Sequence, residues 1–383
     1  MQRVQKAKQL YPFLVENLNL QPADLLLKYK SKLGADAHFA AVQLNGLKRA
    51  QKKIPTWFAN NATLYPPNIN LEQSSGELTA LYKGQFFKSV KTSADLTGGF
   101  GVDSWAIAQQ VERHNYIEPN AELLEIVKSN FTAFNIQNSN FNIQTAEEWL
   151  AQEQKVDAIY IDPSRRVEGQ KKFKLSECTP DVVGLQNDIL KLSNKVVLKL
   201  SPLADLSAIV NELSQVVEIH VVALKNEVKE LLVLQQSGFN GLAKIIGVNI
   251  LDYNNCARFE FKSIDEKKCK IAYCNVKKYV YEPNASILKA GAFNLVGNRF
   301  NLEKLHPNTH LYTSEHLIDN FMGRAFEVID YKPQKVNIIS RNHPLKPTQL
   351  AKKYKVKEGA LDEYLLAFRD TEKPKVVFSK RLY

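Results

Sequence analysis

Two kinds of hydrophobic spacing alternate along this chain. Over residues 1–56, apolar positions recur at three- and four-residue intervals in PADLLLKYKSKL and AHFAAVQLNGLKRAQKK, which predicts helices. Pro55 stops the second run. The stretch NNATLYPPNINLEQSSG (60–76) reads as a linker. From about residue 90 the pattern changes. Strand-like VKTSADLT leads through a glycine turn into helical VDSWAIAQQV, and strand-like HNYIE into helical PNAELLEIVKSNFTAF. FNIQT and VDAIYID are further strands, and KVVLKLS follows a helical segment around 182–194. Such alternation predicts a parallel sheet with crossover helices. VVEIHVVALK and KELLVLQQ are separated by too few residues for a helical crossover, so they predict an antiparallel hairpin closing that sheet, over about 77–237. Beyond it, AKIIGVNIL and ARFEFKSI predict another hairpin. A mixed strand and helix unit starts at YVYEPNASILKAGAF, and the tail reads strand, helix, strand, strand.

Length adds a domain count: 383 residues exceed one ordinary core, so two to four domains are expected. The sequence has no uncharged apolar stretch of about 18 residues, so no transmembrane helix is expected. MQRVQKAKQLYPF lacks the apolar core of a signal peptide, which points to the cytoplasm. Cys178, Cys256, Cys269 and Cys274 are irregularly spaced, without a His pair to complete a zinc site. They read as reduced thiols, and no metal is expected. The net charge of +11 is unevenly placed: residues 1–56 carry +7, residues 331–383 carry +8, and the middle is near −4. Basic flanks around an acidic centre suit a polyanionic partner held by the ends. Solvated lysine-rich faces would give the same count.

The acids of the centre fall at strand ends. In ADLTGGFGVD (94–103), Gly98, Gly99 and Gly101 allow a sharp turn and close approach to a ligand. Asp95 there disfavours a pyrophosphate and suits a cationic ligand, such as the amino and sulfonium neighbourhood of S-adenosylmethionine. Tight strand–helix packing would also need those glycines. Glu118 ends the next strand, 23 residues on, where an acid can accept from two ribose hydroxyls. Glu147, in QTAEEWL after the third strand, is placed to line an adenine pocket, although an acid in a first helical turn is favourable anyway. Asp162 stands at the carboxyl end of the fourth strand, where open α/β sheets bind ligands, and Pro163 stiffens the exit.

Taken together, DLTGGFGVD, YIEPN and IDPSRR resemble the first, second and post-strand-four motifs of class I S-adenosylmethionine-dependent methyltransferases. The resemblance implies an α/β, Rossmann-like core with seven strands in the order 3-2-1-4-5-7-6. Thr97 departs from the family pattern, standing where D-x-G-x-G-x-G has its first glycine. EQSSGELTALYK, LKLSPLAD, YVYEPNASILKAGAF, HLYTSEHL and GRAFEV extend the resemblance to a bacterial group of these enzymes with a THUMP-like C-terminal domain. The expected domains are helical (1–70), methyltransferase (71–240), small α+β and ferredoxin-like (241–326), and THUMP-like (327–383).

The resemblance implies that Asp95, Gly99 and Gly101 surround the methionine part of the cofactor, that Glu118 holds its ribose, and that Asp162 lies beside the transferred methyl; Thr97, within the same turn, is also expected at the cofactor. Thr79, Tyr82 and Lys83, just before the first strand, could close over the site, or could be ordinary helix surface. THUMP domains are RNA-binding modules, so the resemblance implies RNA methylation. Methyl transfer from a sulfonium asks mainly for alignment and exclusion of water. Asp162 or the Pro163 carbonyl can orient an N–H nucleophile. The usual Pro-aromatic pair after such an acid is replaced by Ser164 and Arg165, which removes the simplest amino-methylation template. Arg165 and Arg166 can stack on a base, bind phosphate, or pair with core acids. Cys178 has no surrounding signature for C5 chemistry. The expectation is an RNA methyltransferase acting on a base nitrogen in tRNA or rRNA. The alternatives are a small-molecule or protein methyltransferase, and a non-catalytic RNA-binding protein that retains the fold.

Overall fold

The computed structural model describes residues 2–165 and 175–383. The chain divides into two compact units: residues 1–217 with 232–241, and residues 218–231 with 242–383.

The first unit opens with helices. α1 (Gln2–Glu16), α2 (Pro22–Leu33) and α3 (Ala37–Lys53) form where the apolar spacing predicts them. Pro22 sits in the first turn of α2, where its missing N–H costs nothing. α3 buries Ala40, Leu44, Leu47 and Ala50 at helical spacing. Short helices α4 (Pro55–Ala59), α5 (Asn68–Gln73) and α6 (Glu77–Gly84) follow. This region shares one core with the helices beyond it: the Trp57 ring lies 5.0 Å from Phe100 and 6.2 Å from Trp105.

Then the α/β alternation starts. Strands β1 (Thr92–Asp95), β2 (Arg113–Ile117), β3 (Ser139–Asn142), β4 (Ala158–Ile161) and β5 (Lys195–Leu200) form a parallel sheet. α7 (Val102–Ala108), α8 (Ala121–Ala133), α9 (Ala146–Leu150), α10 (Val182–Leu192) and α11 (Leu206–Glu212) are its helices. β6 (Val216–Leu224) and β7 (Glu227–Gln236) make the expected hairpin. Its two-residue turn puts both Lys225 and Asn226 at positive φ, a backbone twist that matches paired strands. β8 (Lys244–Ile250) and β9 (Cys256–Lys262) are the second hairpin.

The sheet order is β9-β8-β6-β7-β5-β4-β1-β2-β3. The order 3-2-1-4-5-7-6 is present, but nine strands replace the expected seven. β8 adds parallel to the outer edge of β6, and β9 antiparallel to β8. The physical reason is visible in β8, whose residues Ile245–Ile250 are all buried. Such a run belongs inside a sheet covered on both faces, and it satisfies backbone groups that β6 would otherwise expose.

The second unit contains α12 (Ser263–Lys268), α13 (Ala285–Ala290) and α14 (Leu295–Arg299). Its other sheet has β10 (Tyr279–Pro283), β11 (Glu303–Lys304), β12 (Tyr312–Ser314), β13 (Gly323–Ile329), β14 (Lys335–Arg341), β15 (Lys357–Glu358), β16 (Glu363–Arg369) and β17 (Pro374–Arg381). They run in the order β11-β12-β10-β13-β17-β16-β14-β15. β13 pairs with β10 and with β17, so one sheet continues across residue 326. α15 (Pro347–Tyr354) lies between the parallel strands β14 and β16 in sequence. Among the described residues, no helix is long and apolar enough to cross a membrane, and no cluster of three metal-ligating side chains occurs.

Candidate functional site

A cleft of about 670 Å³ opens at the carboxyl ends of the parallel strands. Asp95 ends β1, Glu118 follows β2, Glu147 lies in α9 after β3, and Asp162 follows β4; all four line the cleft. Successive parallel strands place their C-terminal residues along one edge, which is why acids so far apart in sequence converge.

The glycine turn shapes the floor. Gly99 and Gly101 have φ of +56° and +77°, the left-handed region that side chains disfavour. A Cβ on Gly101 would also lie 2.5 Å from Val127 Cγ1 in α8. Glu118 fastens this turn: its Oε2 accepts from the Gly99 N–H at 2.9 Å, and its Oε1 from the Asn120 N–H at 2.9 Å. Burial pushes the Glu118 carboxyl above the ordinary range, and the two N–H donors pull against that. Asn120 in turn caps α8, accepting from the N–H groups of Glu122 and Leu123.

Thr97, which departs from the glycine pattern, has a local role. Its hydroxyl donates to Asp95 Oδ1 at 3.2 Å and accepts from the Asp162 N–H at 2.7 Å. It therefore ties the end of β1 to the end of β4, a job glycine has no atoms for. Asp95 also accepts from the Thr97 N–H at 2.9 Å and the Ser104 hydroxyl at 2.5 Å. Ser104 contacts His114 Nε2 at 3.1 Å, and His114 Nδ1 contacts the Ser93 hydroxyl at 2.9 Å. Asp95 is only 1% exposed, and burial raises its carboxyl to about 7 despite those donors, with the charges of Asp103 and Asp162 adding to the rise. Burial pushes the His114 imidazole down to about 3, so it is neutral near pH 7.

Four residues that the motif comparison gave no role complete the cleft: Asp103, Lys199, Tyr160 and Ser75. Asp103 accepts from Ser75 Oγ at 2.7 Å and from the Tyr160 hydroxyl at 2.8 Å, and its Oδ1 lies 3.2 Å from Lys83 Nζ. Burial pushes its carboxyl up, but Lys83, Lys199 and the two hydroxyls together hold it below the ordinary range. Lys199 of β5 forms an ion pair with Asp162 and also lines the cleft. Tyr160 and Ser75 belong to the same wall. A lysine interrupting the apolar run VVLKL, and an acid one residue into a helix whose other positions are apolar or small, were the available signals for Lys199 and Asp103.

The remaining candidates divide. Ser164 is exposed at the cleft, its hydroxyl 3.4 Å from the Thr179 carbonyl. Pro163 is buried and is not part of the cleft wall. Thr79 and Lys83 are buried in α6 and also lie outside the wall. Thr79 bonds the Gly76 carbonyl, and Lys83 is committed to Asp103, so neither is ordinary helix surface. Arg165 pairs through its backbone with Cys178, and Arg166 lies outside the described residues.

A second cavity, of about 580 Å³, lies in the second unit and is lined by Arg324, Arg341, His343, Lys346 and Tyr364. Arg324 and Arg341 both bond the buried Glu282, each through Nε at 2.9 Å. One carboxylate offsets only part of this charge, which leaves a cationic hollow at the start of α15.

A ferredoxin-like domain model matches residues 279–321, and a THUMP domain-like model matches residues 328–381. No curated protein matches the chain. Among solved structures, the chain is similar to "putative methyltransferase from Porphyromonas gingivalis W83", at 30% identity and a TM-score of 0.88 over 99% of each chain. Two weaker likenesses are to "a putative methyltransferase from streptococcus mutans in complex with SAH" and "a rRNA Methylase from Streptococcus thermophilus". The first has 12% identity, a TM-score of 0.30, and covers 40% of this chain and 94% of that one. The second has 11% identity, a TM-score of 0.32, and covers 42% and 94%. Both are too distant to carry an argument about chemistry. The match along the full length, with the strand order and the THUMP-like segment, places this chain in the family of the Porphyromonas gingivalis protein, class I methyltransferases with a THUMP-like C-terminal domain.

Proposed function

We propose that the chain transfers a methyl group from S-adenosylmethionine to a base nitrogen in RNA, of the tRNA or rRNA kind. The observation that carries this reading is the convergence of Asp95, Glu118, Glu147 and Asp162 on one cleft around a glycine turn. The cleft's volume is in the range of small-molecule sites, about 300–1,000 Å³. Its donor set fits the cofactor. Each Glu118 oxygen accepts one backbone N–H and keeps a lone pair for a ribose hydroxyl. Asp95 supplies a carboxylate for a cationic amino or sulfonium group, and Glu147 borders the end assigned to adenine. When bound, the cofactor supplies an electrophilic methyl on a sulfonium. The chain's own residues then bind, align and exclude water. Asp162 accepts an N–H of the acceptor and so aims its nitrogen, and the glycine turn lets the backbone approach closely.

The RNA part of the reading rests on the cationic hollow of the second unit and the two basic ends of the chain. We propose the helical segment 1–70 and the THUMP-like segment 327–383 as the parts that grip phosphates, with 71–240 as the catalytic domain and 241–326 between. Mass spectrometry of RNA nucleosides from cells with and without this protein tests the reading. One methylated nucleoside should disappear in its absence; an unchanged profile in every RNA class refutes it.

A further inference from the structure

The ion pair between Lys199 and Asp162 is not required by any step above. It is nonetheless built into the cleft. Ile161 of β4 lies opposite Leu198 of β5, so Asp162 and Lys199 follow side by side on neighbouring parallel strands. Both side chains line the cleft and keep contact with solvent, Lys199 at 14% and Asp162 at 34% exposure. Placing an ammonium in the run VVLKL costs desolvation that an apolar residue would avoid. An ionised carboxylate can accept more than one bond and an ammonium can donate three, so neither group is limited to its partner on the neighbouring strand. The cleft therefore presents one acceptor beside one donor.

We infer that Asp162 and Lys199 together read an N–H next to a C=O, so that the methylated atom is a lactam ring nitrogen, of the guanine N1 or uracil N3 type. This inference rests on the methyl-transfer reading and sharpens its acceptor. An exocyclic amine attacks with both hydrogens in place and gains positive charge, which the Lys199 ammonium beside it would oppose. A lactam edge presents a donor beside an acceptor, the complement of this pair. The chemistry asks for both groups. A lactam nitrogen has its lone pair delocalised into the carbonyl, and it becomes nucleophilic as its proton leaves. Asp162 takes that proton, and the charge that develops on the carbonyl oxygen meets the Lys199 ammonium. The nitrogen–methyl bond forms as the methyl–sulfur bond breaks. The sulfonium becomes a neutral thioether, the carboxylate becomes a carboxylic acid, and the proton then passes to water. Replacing the usual Pro-aromatic pair by Ser164 and Arg165 agrees with an acceptor other than an exocyclic amine.

The test uses the full chain, methyl-labelled S-adenosylmethionine and RNA from cells lacking the protein, followed by digestion and mass spectrometry of labelled nucleosides. 1-Methylguanosine or 3-methyluridine is expected. A label on an exocyclic amine, or on a ring nitrogen without an adjacent carbonyl, overturns the inference and leaves RNA methylation standing. No labelled nucleoside overturns both. In the same assay Lys199→Met should lower kcat by about 100-fold with KM for the cofactor unchanged, and its rate should climb with pH. Lys199→Arg should restore part of the rate. Wild-type kcat in Lys199→Met overturns the role given to the ammonium.

Discussion

Replacing Asp95 by Asn should make the protein more stable and less able to bind its cofactor, and both effects should depend on pH. The carboxyl is buried, so ionisation in the folded chain waits until about pH 7, against an ordinary value near 3.8. A raised value in the folded state means that its contribution to stability is complete below about 3.8 and is lost as pH rises through about 7. Each unit of difference is worth about 1.4 kcal/mol, so between pH 5 and pH 8 wild type should lose about 3 kcal/mol that Asp95→Asn keeps. Asn alters the hydrogen bond with Ser104 at every pH, so the comparison across pH cancels that cost. The assay is urea unfolding of both proteins at pH 5 and pH 8, followed by circular dichroism, with the change in their difference as the readout. The variant should also lose affinity for S-adenosylmethionine at pH 8, because the amide carries no charge. In wild type that affinity should rise about tenfold per pH unit below about 7 and level off above. A stability difference that stays constant with pH refutes the argument that burial controls this carboxyl.

Three further outcomes follow from the contacts around the cleft. Lys83→Met leaves Asp103 buried without its ammonium and should cost about 3–5 kcal/mol in urea unfolding, whereas Lys83→Met with Asp103→Leu should recover most of it. Gly101→Ala meets both an unfavourable φ and the Val127 side chain, and should cost about 1–3 kcal/mol; adding Val127→Ala should remove the steric share, which thermal unfolding of the three variants reports. Binding of a tRNA transcript should weaken steeply with added salt, and Arg341→Ala should lower the slope of log affinity against log salt by about 0.7–0.9, as expected for one phosphate contact. A salt-independent affinity would contradict a phosphate-gripping role.

What the sequence made legible was backbone order. Runs such as AIYI and KVVLKL announce buried strands, and the short gap between VVEIHVVAL and EVKELLVLQQ announces a hairpin. Acids at strand ends, Asp95, Glu118 and Asp162, were legible for the same reason, since strand polarity alone decides which end they share. Partnerships across long separations were not. Lys83 reads as helix surface until its partner Asp103, twenty residues on, is seen beneath it. Thr97 reads as an irregular glycine motif until its hydroxyl is found between Asp95 and Asp162. Lys199 gains meaning only when β5 lies beside β4. The second hairpin was legible as a hairpin, but its addition to the β6 edge depends on pairing that no local pattern encodes.

Calorimetric titration of S-adenosylmethionine into the full chain decides whether the cleft is a cofactor site. Saturable binding at one site per chain is expected, weakened at least about tenfold by Glu118→Ala, which removes the acceptor proposed for the ribose hydroxyls. Absence of saturable binding to the wild-type chain, or an affinity unchanged in Glu118→Ala, would contradict that assignment.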